Sequence, residues 1–212
     1  QYRSEYPDVE IHATGIAMLN AAFAEAPMRD LPVVMPLMFG ALLLAIVFFL
    51  RTFSGIVGTL AVMGFSTVTA LGVAGHLGVF LDPASASAPI IILTLAVADS
   101  IHIVVTWLKS LGEDDDEREC LVEAFRINTK PVFLTSITTA IGFVSLNFSD
   151  SPPFKLLGNL SAFGVMVAWA FSMTVLPAIL ATLPAPHQAR SRGRSRLDAV
   201  VERFVEAFDD GA

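Results

Sequence analysis

"PIIILTLAVADSIHIVVTWL", residues 89–108, holds a single charged side chain, Asp99, and places it near the middle of the run. A transmembrane helix needs about 20 predominantly apolar residues to cross the hydrocarbon core of a bilayer. The run has this length and composition, so we predict a membrane-spanning helix that carries an acid at mid-depth.

Four further stretches meet the same length criterion. Hydrophobic residues make up 54% of the chain, charged residues 16%, and the mean hydropathy is +0.67, which is too apolar for an ordinary globular domain. We therefore predict an all-α membrane protein with five transmembrane helices. The net charge of −7 indicates no nucleic-acid partner, and the single cysteine excludes an intrachain disulfide. The predicted spans are residues 31–50, 55–78, 89–108, 131–149 and 157–182.

The basic residues predict the orientation of the spans. Ten of the 13 Lys and Arg residues fall on one side of the predicted membrane, in the loops after the first, third and fifth spans. Because cytoplasmic loops carry an excess of Lys and Arg, we expect the N-terminus outside and the C-terminus in the cytoplasm. The expected location is the cytoplasmic (inner) membrane, with the chain crossing it several times.

Residues 31–183 form the predicted transmembrane domain, which includes a cytoplasmic linker at 109–130. Apolar residues at helical spacing predict a short amphipathic helix over residues 16–26, before Pro27. We predict that residues 184–212 form a basic tail with a second amphipathic helix. The chain has no initiator Met and no signal-peptide pattern, so we expect it to be part of a longer protein.

Asp99 and His102 are the candidate functional residues of the third span. An ionised carboxylate at mid-membrane costs at least about 2.5–3.5 kcal/mol, so such residues face other helices or a wet cavity and are functional by default. His102 lies three residues on, on the same helical face, and Thr106 extends that face. The two residues could share a proton or form two stations of a proton relay. Alternatively, both simply form hydrogen bonds to neighbouring helices.

The fourth span carries a stripe of hydroxyl side chains, Thr135, Thr138 and Thr139. Small and hydroxyl residues allow close helix packing, and this is one interpretation of the stripe. The other is that the stripe faces Asp99 and lines the relay. An intramembrane enzyme is not expected, since a lone Asp does not form an aspartyl dyad and no HExxH motif is present. We expect no catalytic residues, no metal site and no cofactor.

Three motifs resemble those of the resistance–nodulation–division (RND) superfamily, in its MMPL and Patched-like branch. "LAVADSIHIVV" (95–105) resembles the fourth transmembrane helix of that branch, "KPVFLTSITTAIGFVSLNFSDSPPFKLLGNLSAFGV" (130–165) the next helix and loop, and "MTVLPAIL" (173–180) the end of the sixth helix. The resemblance implies that the chain is helices two to six of one repeat, which is half of an RND transmembrane bundle and similar to a sterol-sensing domain. Residues 1–30 would then contain the end of an extracytoplasmic domain.

The resemblance also implies a function. It implies an exporter of hydrophobic or amphiphilic, lipid-like molecules that is driven by the proton gradient, with Asp99 in the relay. The implied partners are the bilayer, the substrate and the other half of the transporter, and homo-oligomers and sodium coupling stay open. Many relatives carry Gly or a second acid where this chain has Leu95 and Ser100, which leaves the coupling stoichiometry open. The alternative is a lipid- or sterol-sensing module, or a scaffold, without transport.

Overall fold

The structure, a computed structural model, describes residues 15–111 and 116–183, which form helices and no strand. Five helices in this part of the chain are long and apolar enough to cross a membrane, which confirms the predicted all-α membrane class. Two short 3₁₀ helices are also present: Ser85–Ser87 directly before the third of the long helices, and Ser145–Phe148 directly after the fourth. The long helices are α1 Ile16–Leu50, α2 Phe53–His76, α3 Ala88–Ser110, α4 Glu117–Val144 and α5 Pro152–Thr182.

The first helix is longer than its predicted transmembrane part. The backbone is helical from Ile16 to Leu50 and runs through Pro27, where the sequence predicted a break. A proline inside a helix removes one backbone hydrogen bond and can kink the helix without ending it. The chain divides at Gly40 into two compact units, and the second unit contains the end of α1 and all of α2 to α5.

The fourth helix also begins earlier than its predicted span. It starts at Glu117, so residues 117–130 of the predicted linker are helical and continuous with the span. The Asp116 side chain accepts a hydrogen bond from the backbone N–H of Arg118 at 2.9 Å and caps this end. Glu117 and Glu119 in the first turn favour the same start through the helix dipole. Residues 1–14, 112–115 and 184–212 lie outside the described residues. The predictions for the extracytoplasmic end, the middle of the linker and the basic tail with its amphipathic helix fall on them.

Helix α5 is central to the bundle, since it packs against α2, α3 and α4. Glycines permit this packing. A Cβ atom at Gly158 would collide with the backbone carbonyl of Phe143 in α4, and one at Gly164 would collide with the Ile92 side chain in α3. On the α2 side, a Cβ atom at Gly58 would lie 2.7 Å from Leu176 Cδ1.

Helices α2 to α5 begin and end at two ends of the bundle. We call the end with Arg51, Lys109 and Arg118 the basic end, and the end with Asp82 and Asp150 the opposite end. Arg51 adopts a positive φ of 47° between α1 and α2. At the opposite end, the Asp82 carboxylate accepts a hydrogen bond from the Ser85 backbone at 2.7 Å, and the Ser85 hydroxyl accepts one from the Asp82 N–H at 2.9 Å.

Candidate functional site

The acid of the third span lies inside the bundle. Asp99 is 7% exposed and belongs to the face of α3 that packs on the other helices. The Ser136 hydroxyl on α4 donates a hydrogen bond to Asp99 Oδ2 at 3.2 Å. A buried polar group without a hydrogen bond carries a desolvation penalty, so buried polar groups in native proteins nearly always have a partner. The pair therefore joins α3 to α4 at the depth of the acid.

Two acceptor oxygens lie near the Ser136 hydroxyl, which has one hydrogen to donate. It lies 2.8 Å from the Val132 carbonyl oxygen of its own helix as well as 3.2 Å from Asp99. When Asp99 is charged, the hydroxyl can donate to it. When Asp99 is protonated, the acid can donate to Ser136 Oγ while the hydroxyl donates to Val132. Ser136 therefore has a hydrogen-bond partner in both protonation states of Asp99.

No cation neutralises Asp99 within residues 15–111 and 116–183. The ion pair in this part of the chain joins Arg126 and Glu123 at 3.7 Å, one helical turn apart on the exposed surface of α4. A buried carboxylate locked to Arg or Lys would keep one protonation state. Asp99, by contrast, is held by a neutral hydroxyl.

A comparison with models of known protein families shows to which family the chain belongs. The model of the MMPL family matches residues 2–204. The chain belongs to the MMPL family. The resemblance read from the motifs is therefore confirmed, and the long apolar helices are the transmembrane helices of an MMPL-family protein.

Three relatives place this MMPL chain among larger proteins. The protein MJ1562 of Methanocaldococcus jannaschii is 26% identical over 181 residues, which are 82% of this chain and 45% of MJ1562. The hopanoid transporter HpnN of Rhodopseudomonas palustris is 28% identical over 145 residues, 68% of this chain and 16% of HpnN. The siderophore exporter MmpL5 of Mycobacterium tuberculosis is 26% identical over 211 residues, 93% of this chain and 22% of MmpL5. The chain spans less than half the length of each relative.

His102 and Thr106 lie on a more open face of this MMPL bundle than Asp99. The His102 side chain is exposed and Thr106 is half-buried. The Thr106 hydroxyl donates to the His102 carbonyl oxygen at 2.8 Å. Among the hydrogen bonds of the described residues, none joins His102 to Asp99. Their roles in a relay therefore stay predictions.

The predicted threonine stripe also lies on a more open face. Thr135 and Thr138 are exposed, Thr139 is half-buried, and the first two hydroxyls donate to carbonyls of their own helix. The hydroxyl that reaches Asp99 is that of Ser136, which the sequence reading missed. A role for the threonines beside the relay stays a prediction.

A signal for Ser136 was present in the sequence. Buried residues of α4 recur at intervals of four, and most of them are small, which is the pattern of a close helix contact. This stripe contains Cys120, Ala124, Asn128, Val132, Ser136 and Ala140.

A cavity of about 530 Å³ lies at the basic end, distant from Asp99 along α3. Trp107 of α3 and Leu180 of α5 form its apolar part, and the start of α4 supplies its charged side chains, Asp116, Glu117 and Arg118. Within the described residues, no three His, Cys, Asp or Glu side chains are grouped as a metal site would require. The chemistry-bearing group inside the bundle is therefore Asp99.

Proposed function

We propose that this chain is one proton-coupled half of the transmembrane motor of an MMPL exporter for hydrophobic or amphiphilic, lipid-like molecules. The observation that carries the proposal is the environment of Asp99: a buried acid that contacts a hydroxyl and no cation in the described residues. The names of two relatives, a hopanoid transporter and a siderophore exporter, support an export function and the substrate class.

In the proposed mechanism, Asp99 takes up a proton from the outward side and releases it to the cytoplasm. Protonation removes a buried charge, so the α3–α4 contact can repack around Ser136. A proton moving down the membrane potential supplies about 2.3 kcal/mol per 100 mV. This energy suits switching between two helix packings that differ by a few kcal/mol. The bundle would lie in the cytoplasmic membrane with the basic end inward, and the other half of the transporter would cover the face of His102 and Thr138.

The test is Asp99→Asn in the full-length protein, reconstituted in proteoliposomes with an imposed pH gradient. Asn keeps the size of the side chain and cannot carry a proton. We expect the wild type to move at least one of a panel of fluorescent lipids only when the gradient is present, and Asp99→Asn to move none. Asp150→Asn, which removes an exposed acid at the opposite end, is the matched control and should transport normally.

Two results would contradict the proposal. Gradient-driven transport by Asp99→Asn at the wild-type rate would remove Asp99 from the mechanism. Lipid binding by the wild type without flux under any gradient would instead favour the alternative, a lipid-sensing module or scaffold.

A further inference from the structure

One side chain of α3 is seated in a notch of α5. Ile92 is fully buried, and the end of its side chain, Cγ1 and Cδ1, lies where a Cβ atom of residue 164 would be. Because Gly164 has no Cβ atom, Ile92 rests directly on the backbone of α5. Ala70 of α2 borders the notch, since its Cβ atom lies 3.4 Å from the same point. A close fit of this kind restricts the rotation and the depth of α3 on α5.

Ile92 and Asp99 lie on the same face of α3. Seven residues separate them, which is two helical turns and about 10 Å along the axis. Ile92 meets Gly164 on α5, and Asp99 meets the Ser136 hydroxyl on α4. This face of α3 is therefore in contact with both α4 and α5. A rotation of α3 that lifted Ile92 out of the notch would also turn Asp99 away from Ser136.

The helix with the notch is itself packed closely on the helix that carries Ser136. A Cβ atom at Gly158 of α5 would collide with the backbone carbonyl of Phe143 in α4. The rings of Phe133 in α4 and Trp169 in α5 have their centroids 5.0 Å apart. Closely packed helices transmit displacements to each other. The seat of Ile92 on α5 therefore also sets the position of α3 relative to Ser136.

The hydrogen bond between Ser136 and Asp99 leaves little tolerance for a displaced helix. Its length of 3.2 Å is already at the long end for two oxygen atoms, and such bonds weaken with distance and misalignment. A small shift or rotation of α3 would therefore separate the acid from the hydroxyl. The contact that holds α3 in place thus decides whether Asp99 has this partner.

We propose that Ile92 is a positioning residue for Asp99: seated in the notch at Gly164, it holds α3 in the rotation at which Asp99 meets the Ser136 hydroxyl. Ile92 lies two turns from the acid and acts through the helix that carries both. A functional side chain is placed accurately when such supporting contacts lock it. The importance of Ile92 for transport rests on the proposed function, whereas the positioning itself does not.

The contact can be broken from either side and rebuilt with two alanines. Gly164→Ala puts a methyl group where the Ile92 side chain lies, so α3 must shift. Ile92→Ala empties the notch, so α3 is no longer held. In the double variant, only the Cβ atom of residue 92 remains beside the new methyl. It is no closer than 3.4 Å, because Ala70 at that distance is the third-nearest atom, after the two atoms that Ile92→Ala removes. The two methyl groups can therefore fill the notch with both helices in place.

Infrared spectroscopy of the full-length protein in lipid reads the hydrogen bond of the acid directly. The carboxyl bands of Asp99, protonated or ionised, change frequency when a hydrogen bond is lost, and subtraction of the spectrum with Asp99→Asn added isolates them. Ser136→Ala gives the frequency of Asp99 without its partner. We expect Gly164→Ala and Ile92→Ala each to shift the bands to that frequency and the double variant to return them to the wild-type frequency. Gly58→Ala, the control, clashes with Leu176 between α2 and α5 and should keep the wild-type bands.

Three results would overturn the positioning: wild-type bands in both single variants, bands that stay shifted in the double variant, or an equal shift in Gly58→Ala. Transport distinguishes this failure from failure of the proposed function. Each single variant should lower gradient-driven transport at least ten-fold, and the double variant should restore it. If Asp99→Asn transports normally while the bands follow the expected pattern, the positioning stands and its role in transport falls. If Asp99→Asn abolishes transport while Gly164→Ala leaves the bands unchanged, the motor stands and the positioning falls.

Discussion

Replacing Gly58 by Ala tests how closely α2 packs on α5. The new Cβ atom would lie 2.7 Å from Leu176 Cδ1, whereas ordinary contact begins at 3.4 Å, so Leu176 would have to retreat by about 0.7 Å. Leu176 is fully buried, and forcing extra volume into a filled core costs about 1–3 kcal/mol. Alanine is better than glycine in a helix interior by up to about 1 kcal/mol. The expected net loss of stability is about 0–2 kcal/mol.

Gly64→Ala is the matched control on the same helix. No atom lies within 4 Å of a Cβ atom built there, so this change brings the gain in helix propensity without the clash. The propensity contribution is common to both variants and cancels, which leaves Gly58→Ala less stable than Gly64→Ala by about 1–3 kcal/mol. The assay is unfolding of the purified full-length protein by SDS in mixed micelles, followed by circular dichroism. Equal midpoints for the two variants would refute the close α2–α5 contact.

Three further predictions concern hydrogen bonds. Ser136→Ala should abolish or strongly reduce gradient-driven transport, and Ser136→Thr should restore it. Ser172→Ala, the control, should transport normally. Equal transport by both alanine variants would show that Ser136 has no part in the proposed mechanism. Asp82→Ala should lower the stability by about 0.5–2 kcal/mol in SDS unfolding, because it removes a cap at the start of the Asp82 turn. Asn147 and Asn159 exchange two side-chain hydrogen bonds of 2.8 and 3.0 Å, so a double-mutant cycle to Ala should give a coupling of about 0.5–3 kcal/mol, and strict additivity would contradict the pair.

The transmembrane helices were predictable because hydrocarbon imposes a strict length and composition on a span. The predicted third span, 89–108, lies within α3, Ala88–Ser110. The ends of helices were less predictable, because the hydrocarbon core does not constrain the length or composition of polar segments outside it. At α4, the capping residue Asp116 and the first-turn acids start the helix well before the apolar run begins.

The candidate site was predictable in part for a similar reason. The cost of a charge in hydrocarbon directs Asp99 to the interior of the bundle, and the structure places it there. The partner was not predictable from polarity, because four hydroxyl residues between positions 135 and 139 surround most of the helix. Ser136 differs from the other three in belonging to the stripe of mostly small residues, at intervals of four, through which α4 packs.

The most direct test of the account is infrared difference spectroscopy of the full-length protein in lipid, recorded while the pH is stepped. If Asp99 carries the proton, a carboxylic-acid carbonyl band should appear on acidification in the wild type and in Asp150→Asn, and should be absent from Asp99→Asn. Asp99 would be contradicted as the proton carrier if the wild type and Asp99→Asn gave the same carboxyl bands over the whole pH range in which the protein transports.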